Sequence, residues 1–204
     1  MVDVDSLCLL TGKGYVPRWL ARTLEHTVAN TDAEFELIVN SSSTIEQDIN
    51  KDRAESGFQR PISWLKSRIE PNPQSYVPLS DVSAIGDATN IECTVEPAPE
   101  EIGVVYPTEV VDQVHTCDLA VHYMVGILKG EILTTPRHGV VGYHHGDIRK
   151  YRGTPNSVWQ YLNDESYVSI TLQRYNKKLD AGEMLAFETV DIKDRHQLEA
   201  ILRH

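Results

Sequence analysis

The sequence predicts an α/β protein with a single open, mostly parallel sheet and helices on both faces. The N-terminal third shows a strand, a helix and a strand in succession, written SLCLLTGKGY, PRWLARTLEHTVA and FELIVNSS. Further short apolar runs, among them DLAVHYMV and HGVVGYHH, alternate with turn or helical patterns along the rest of the chain. Strands joined through helices pair in parallel, so this order predicts a parallel sheet.

The first predicted helix carries an apolar stripe. Trp19, Leu20, Leu24 and Val28 fall on one helical face, and Pro17 suits the first turn. This face is expected to pack on the sheet.

The remaining segments are assigned by the same criteria. Strands are predicted at NIECTVEPAP, YVSITLQRYN and LAFETVDI, and short helices at PTEVVDQVHTC and KGEILT. TPNSVWQYLNDE is predicted to be helical, with Val158, Trp159 and Leu162 facing inward. DRHQLEAILRH is predicted to form a last amphipathic helix.

The length of 204 residues suits one domain over 1–204, and a surface insertion is predicted around 45–90. Pro71, Pro73 and Pro78 interrupt this segment after a helical pattern near Trp64. An acceptor-side insertion, a homodimer contact and a mobile flap are the open alternatives for it.

Composition excludes several classes of protein. The net charge of −11 argues against nonspecific nucleic-acid binding, because phosphates repel such a surface. No apolar run is long enough to cross a bilayer, and the N-terminus lacks the features of a signal peptide, so a cytoplasmic protein is expected. Three widely spaced cysteines indicate neither a disulfide framework nor a zinc ribbon, and Cys8 is expected to be a buried thiol.

Three polar features follow predicted strands. They are Gly12-Lys13-Gly14, His144-His145 and the segment 179–182 with the sequence LDAG. Ligands of open parallel sheets bind beyond the carboxyl ends of the strands, so we expect these features to share one cleft.

The adjacent histidines favour acid–base chemistry over metal binding. Side chains alternate along a strand, so His144 and His145 are expected to point in opposite directions. A strand-end imidazole beside a carboxylate can move a proton or stabilise an oxyanion, and hydrogen bonding to loop carbonyls is the structural alternative. No His-x-His or HExxH pattern accompanies them, so no metal is expected.

Two other features suggest anion contacts. The turn Gly12-Lys13-Gly14 opens a helix, where an anion can bind, but it lacks a third glycine and equally suits a tight turn. Arg149 lies in a small basic cluster with Lys150 and Arg152, which can face a charged acceptor or simply be solvated.

In combination, the motifs resemble the folate-dependent formyltransferase family, which includes the glycinamide ribonucleotide, methionyl-tRNA and sugar N-formyltransferases. His144 matches the family's strand-end His, KYRG (150–153) matches its loop end, and LDAG matches its Asp loop. The resemblance is specific over about 118–190, loose over 1–40 and absent over 45–90. It implies the Rossmann-like formyltransferase fold, with 10-formyltetrahydrofolate as the formyl donor.

The resemblance also implies roles for individual residues. His144 and Asp180 would be catalytic. A folate pocket would be formed by Val125, Gly126, Ile127, Leu128, Leu179, Ala181 and Gly182. An acceptor site would be formed by Gly12, Lys13, Gly14, His145 and Arg149. One position departs from the family pattern. Gly142 stands where the family has an Asn that holds the formyl oxygen, so Tyr143, His145, Gln173 or a water would have to replace it, or transfer would be impaired.

The predicted function is transfer of a one-carbon formyl group from 10-formyltetrahydrofolate to a small amine. The acidic composition disfavours tRNA as the acceptor. Hydrolysis of the formyl folate is a first alternative. A folate-binding or ligand-binding protein of the same fold that has lost transfer is a second, and Gly142 is the observation that favours it.

Overall fold

The computed structural model describes residues 3–12, 14–43, 76–99, 101–152, 159, 160, 162–177 and 182–191. Two α-helices lie wholly within these ranges, α1 (Arg18–Asn30) and α2 (Thr108–Val114), and residues 159, 160 and 162 are helical as well. The ten strands within these ranges are β1 (Ser6–Thr11), β2 (Tyr15–Pro17), β3 (Glu34–Ser43), β4 (Tyr76–Pro78), β5 (Thr89–Pro97), β6 (Val104–Val105), β7 (Leu119–Tyr123), β8 (Val140–His144), β9 (Tyr167–Arg174) and β10 (Glu183–Asp191).

Eight of these strands form one open sheet in the order β10-β9-β8-β7-β1-β3-β5-β6. The central pairs β7–β8, β7–β1, β1–β3 and β3–β5 are parallel, whereas β9, β10 and β6 join antiparallel at the two sides. The prediction of an open, mostly parallel sheet is confirmed. β2 and β4 form a separate two-stranded antiparallel ribbon.

Each face of the sheet carries its own core. Along β1, Leu7 and Leu9 pack on the side of α1, while Cys8 and Leu10 pack on the side of α2. We refer to these sides as the α1 face and the α2 face. Burial on both sides explains why β1 is apolar at successive positions rather than at alternate ones.

Helix α1 packs as its apolar stripe predicts. Leu20 and Leu24 are fully buried in the α1-face core, with Trp19 and Val28 packed beside them. Pro17 directly precedes the helix, with a φ of −65°. On the opposite side, α2 buries Val110 and Val114 in the α2-face core. α1 and α2 thus contribute buried residues to the cores on opposite faces of the sheet.

The C-terminal part of the predicted insertion contributes to the core. Val82 and Ile85, each in or beside a single turn of 3₁₀-helix, are buried in the α1-face core, and β5 begins at Thr89. The rest of that segment, residues 44–75, lies outside the described residues, as does the predicted helix at the C-terminus.

The inward positions predicted for the segment around Trp159 are wrong. Trp159 and Leu162 are 44% and 61% exposed, whereas Gln160 is fully buried. The Gln160 side-chain oxygen accepts hydrogen bonds from the backbone N–H and the hydroxyl of Ser169, both at 3.2 Å. A polar side chain takes the inward position because it satisfies buried polar groups of β9. Val158 lies outside the described residues.

The cysteines are all free thiols. Cys8 is fully buried, and burial raises the pKa of its thiol, as expected for an inert core residue. Within the described ranges, no helix is long and apolar enough to cross a membrane.

Candidate active site

His144 ends β8 at the carboxyl edge of the parallel strands and is 5% exposed. It lies two residues after Gly142 and four after Val140, a member of the α2-face core, so its side chain points to the α2 face. Its Nε2 lies 2.8 Å from the carbonyl oxygen of Tyr151. A carbonyl oxygen only accepts, so Nε2 carries a hydrogen and donates it to this oxygen.

His145 points the other way, as predicted. Its ring centroid is 5.8 Å from that of Trp19, which also meets Tyr143 and Tyr123 edge to face. Burial against these aromatic rings and the neighbouring His144 lower the pKa of His145. The two imidazoles therefore serve different faces of the sheet, with His145 beside the start of α1.

The loop after the histidines is held by ion pairs. Asp147 is 1% exposed and receives the Nε and Nη2 hydrogens of Arg149 at 2.8 and 2.9 Å, together with the Arg149 backbone N–H at 3.0 Å. Arg149 lowers the pKa of Asp147. Lys150 binds Glu165 at 3.1 Å, and Glu165 also accepts from the Tyr151 hydroxyl. Arg149 and Lys150 are thus engaged within the loop and its surroundings, with the Arg149 guanidinium stacked 4.6 Å from the Phe187 ring.

Gly142 lies beneath the ring of Tyr175. A Cβ on Gly142 would stand 2.6 Å from Tyr175 Cζ and closer still to its hydroxyl oxygen. The Tyr175 hydroxyl is 3.2 Å from His122 Nδ1, and His122 Nε2 accepts the backbone N–H of Val125 at 3.3 Å. Because Nε2 accepts, the neutral ring carries its hydrogen on Nδ1 and donates it to the phenol oxygen. Desolvation lowers the pKa of His122 to about 4, so the ring is neutral at pH 7.

Neither Tyr175 nor His122 is among the site residues predicted from the sequence. Two features of the sequence could have indicated these residues. His122 lies two residues after Ala120 of the α2-face core, in a strand whose side chains alternate. Gly142 interrupts a buried strand, which often marks close approach by another group.

The end of β1 lies against the predicted folate segment. The Gly12 N–H donates to the Tyr123 carbonyl at 3.3 Å, and a Cβ on Gly12 would be 3.1 Å from the Met124 carbonyl carbon. Val125 and Leu128 are buried in the α2-face core, whereas Gly126 is exposed with a φ of +105°. The carbonyl oxygen of Ile127 accepts a hydrogen bond from the N–H of Val104 at 2.8 Å, which fixes the backbone at this residue. Lys13 lies outside the described residues.

The end of the predicted Asp loop reaches the same region. A Cβ on Gly182 would lie 2.8 Å from Gln173 Oε1, and Gln173 pairs with Gly142 across β8 and β9. Leu179, Asp180 and Ala181 lie outside the described residues, so the pairing of His144 with Asp180 stays a prediction.

The structure distributes the predicted residues over three places. Gly12 and the segment 125–128 meet at the ends of β1 and β7, and His144 lies at the end of the adjacent β8. Gly14 and His145 lie on the side of α1, because Gly14 leads into that helix and His145 contacts Trp19. Arg149 lies beside Phe187 of β10. No group of three or more potential metal-binding side chains occurs among the residues that the structure describes.

Known proteins resemble parts of this chain. No family model matches it. The methionyl-tRNA formyltransferase of Thermodesulfovibrio yellowstonii is 32% identical over 75 residues, which are 37% of this chain and 24% of that enzyme. That of Geobacter metallireducens is 34% identical over 87 residues, 41% of this chain and 28% of that enzyme. The matched part is therefore about a quarter of the length of these relatives.

Solved structures share the fold over nearly the whole chain. A formyltetrahydrofolate deformylase from Pseudomonas syringae superimposes with a TM-score of 0.58 and 17% identity, covering 99% of this chain and 56% of that one. Glycinamide ribonucleotide transformylase 1 from Symbiobacterium toebii superimposes with a TM-score of 0.57 and 13% identity, covering 98% and 79%. A segment of this chain is thus similar in sequence to methionyl-tRNA formyltransferases, and the chain shares its fold with a formyltetrahydrofolate deformylase and a glycinamide ribonucleotide transformylase.

Proposed function

We propose that the chain transfers a formyl group from 10-formyltetrahydrofolate to a small amine. The observation that carries the proposal is the state of His144 at the carboxyl edge of the sheet. The ring is almost fully buried and its Nε2 is fixed on the Tyr151 carbonyl, so Nδ1 is the nitrogen that would exchange a proton in the reaction. An imidazole held in this way is suited to acid–base work.

The proposed reaction is an acyl transfer. The amine nitrogen attacks the formyl carbon, a new C–N bond forms, and the bond from that carbon to N10 of the folate breaks. The attacking amine loses a proton and N10 gains one. Protonated at Nδ1, His144 would stabilise negative charge on the formyl oxygen or relay the proton. Asp180 would favour the charged imidazole, because an opposite charge nearby raises a histidine pKa.

The donor would lie along the segment 125–128 and the residues Leu179, Ala181 and Gly182. Gly126 supports this, because its exposed backbone lies between side chains that are committed to the core. Gly182 supports it as well, since it lies against Gln173, the β9 partner of Gly142. The Gly182 end of the proposed pocket is therefore close to the strand that carries His144.

The acceptor would extend from Gly12, beside the donor segment, past Lys13 and Gly14 to His145, where Trp19 provides an aromatic wall. A small amine, rather than the tRNA named for the sequence relatives, is favoured by the net charge of −11. Arg149 is a weaker candidate for contact with the acceptor, because its guanidinium already binds Asp147 through two nitrogens.

The test is to mix the purified protein with 10-formyltetrahydrofolate and follow its conversion to tetrahydrofolate by absorbance, with and without a pool of amines. The same assay is run on His144→Ala and Asp180→Ala. Two exposed residues in or next to α2 provide matched controls, His115→Ala and Asp112→Ala. We expect loss of formyl only when amines are present, a fall of about 10²-fold or more in both site variants, and unchanged rates in the controls.

Other outcomes have definite meanings. Loss of formyl without amine would assign a hydrolase. Saturable folate binding without turnover would assign a binding protein that has lost transfer. Absence of binding to 10-formyltetrahydrofolate would overturn the proposed function.

A further inference from the structure

We propose that the Tyr175 hydroxyl, positioned by His122, is the group that donates a hydrogen bond to the formyl oxygen in this chain. The inference rests on the proposed function and concerns the same site. Gly142 has no side chain that could hold the formyl oxygen, and the inference assigns this role to Tyr175, which follows β9.

The first argument is position. Residues 140, 142 and 144 of β8 face the same side of the sheet, and Val140 places that side as the α2 face. The Tyr175 hydroxyl occupies the space that a side chain on Gly142 would enter. It is therefore on the side of His144, whereas Tyr143 lies in the α1-face core and His145 contacts Trp19.

The second argument is reach. Two strand residues rise by about 7 Å, so a group at the side-chain position of residue 142 lies roughly that far from the Cβ of His144. The imidazole extends across part of this distance. A formyl group placed between them could then meet the phenol on one side and the imidazole on the other.

The third argument is the direction of the hydrogen bonds. His122 Nε2 accepts from the Val125 N–H, so its Nδ1–H donates to the phenol oxygen. The phenol accepts from His122 and acts toward other neighbours as a donor. Such a chain polarises the O–H group, which strengthens the bond that it donates.

Gln173 is the competing donor. It pairs with Gly142 across the strands and is 5% exposed, and its Oε1 lies near Gly182. Tyr175 is favoured for two reasons. Its hydroxyl lies where the side chain of residue 142 would be, and it is held by the His122 ring, whose hydrogen is on Nδ1.

The test uses 10-formyl-5,8-dideazafolate, a stable analogue of the donor, and the same molecule without the formyl group. Dissociation constants for both are measured with the wild-type protein, Tyr175→Phe, Gln173→Leu and the opposite-face control Tyr143→Phe. The infrared stretch of a ¹³C-labelled formyl carbonyl is recorded for each complex. The preference for the formyl analogue is the ratio of the two dissociation constants. We expect this ratio to fall by about 5- to 15-fold in Tyr175→Phe, which is the contribution of one hydrogen bond.

We also expect the carbonyl stretch in Tyr175→Phe to shift toward its value in water-free solvent, with His122→Gln giving a smaller shift of the same sign. Damage to the fold alone would weaken binding of both analogues equally. Circular dichroism and a folate-dependent rise in melting temperature check that each variant is folded.

The outcomes separate the two proposals. If the wild-type protein binds neither analogue, the proposed function fails and this inference fails with it. If it binds both and Tyr175→Phe leaves the preference and the stretch unchanged, only the assignment to Tyr175 is overturned. Loss of both effects in Gln173→Leu but not in Tyr175→Phe would identify Gln173 as the donor instead.

Discussion

A side chain at position 142 would require the ring of Tyr175 to move, because a Cβ on Gly142 would lie 2.6 Å from Tyr175 Cζ. The two residues are on neighbouring strand segments, with the Tyr175 N–H donating to the Val140 carbonyl at 2.8 Å. The glycine at position 142 and the tyrosine that follows β9 therefore depend on each other, because the tyrosine fills the space beside the glycine. Replacing either residue alone is expected to disturb the other.

The first prediction concerns this pair. Gly142→Ala should destabilise the protein by about 1–3 kcal/mol, because buried overpacking displaces neighbouring atoms. Combining it with Tyr175→Ala, which removes the obstructing ring, should give a loss smaller than the sum of the single losses by about 0.5–3 kcal/mol. Urea unfolding of the wild type, both single variants and the double variant measures this coupling. Additive losses would show that the ring can move aside at little cost.

The second prediction concerns the turn after β1. Gly12→Ala should destabilise the protein by about 1–3 kcal/mol, since its Cβ would meet the backbone of Met124, which cannot rotate away as a side chain can. Gly14→Ala is the matched control, because a Cβ there meets no atom within 4 Å. Its unfolding free energy should stay within about 0.5 kcal/mol of the wild type. Equal effects of the two substitutions would contradict the close approach of β1 to the segment after β7.

The third prediction concerns pH and His122. Its pKa is about 4 in the folded protein and near 6.5 in the unfolded chain, so the unfolded chain binds more protons between these values. The stabilising contribution of the neutral ring is present above about pH 6.5 and is lost as the pH falls toward 4. His122→Gln should reduce the slope of stability against pH in this window by at most about 1.4 kcal/mol per pH unit.

Urea titrations at several pH values from 4 to 8 test this prediction. Tyr175 and the Val125 N–H face the His122 ring, and neither changes charge in that range. An unchanged slope in His122→Gln would mean that the ring titrates normally in the folded protein.

The fourth prediction concerns the loop that follows the histidines. Arg149→Ala should lower the melting temperature by several degrees at pH 7, because the buried carboxylate of Asp147 keeps only a backbone partner. Arg149→Lys should recover part of the loss, since an ammonium group cannot bind both carboxylate oxygens as the guanidinium does. Arg22→Ala, at an exposed position of α1, is the control.

Acid should reduce this effect. Arg149 holds the pKa of Asp147 below its usual value, so the stabilisation from the pair is present above the unfolded-state pKa and is lost as the pH falls through the folded-state pKa. The difference in melting temperature between the wild type and Arg149→Ala should therefore shrink at low pH. A difference that stays constant to pH 2 would assign the effect to packing on Phe187 instead.

The sequence by itself determined the sheet and the position of His144. Continuous apolar runs such as the one at Leu7–Leu10 belong to strands buried on both faces, and their alternation with a helical stripe predicts parallel pairing. Alternation along β8 was likewise sufficient to separate His144 from His145, because neighbouring side chains of a strand point to opposite faces. The motif resemblance added the expectation of a formyltransferase-like activity.

Local sequence patterns did not predict the position of side chains that bind residues distant in the sequence. The apolar residues Trp159 and Leu162 were placed inward by helical spacing, yet Gln160 is buried because Ser169 of β9 needs an acceptor. The basic cluster predicted either an acceptor contact or a solvated loop face for Arg149, and the structure adds that its guanidinium binds the buried Asp147.

Tertiary structure alone decided what fills the space beside Gly142. Tyr175 lies 33 residues farther along the chain and His122 lies on another strand, and no spacing rule connects the three. They meet because β9 runs antiparallel to β8 while β7 runs parallel to it, which brings the end of one strand to the interior of another. Contacts of this kind depend on how strands are ordered in the sheet, and the order of strands in a sheet is not encoded in any local stretch of residues.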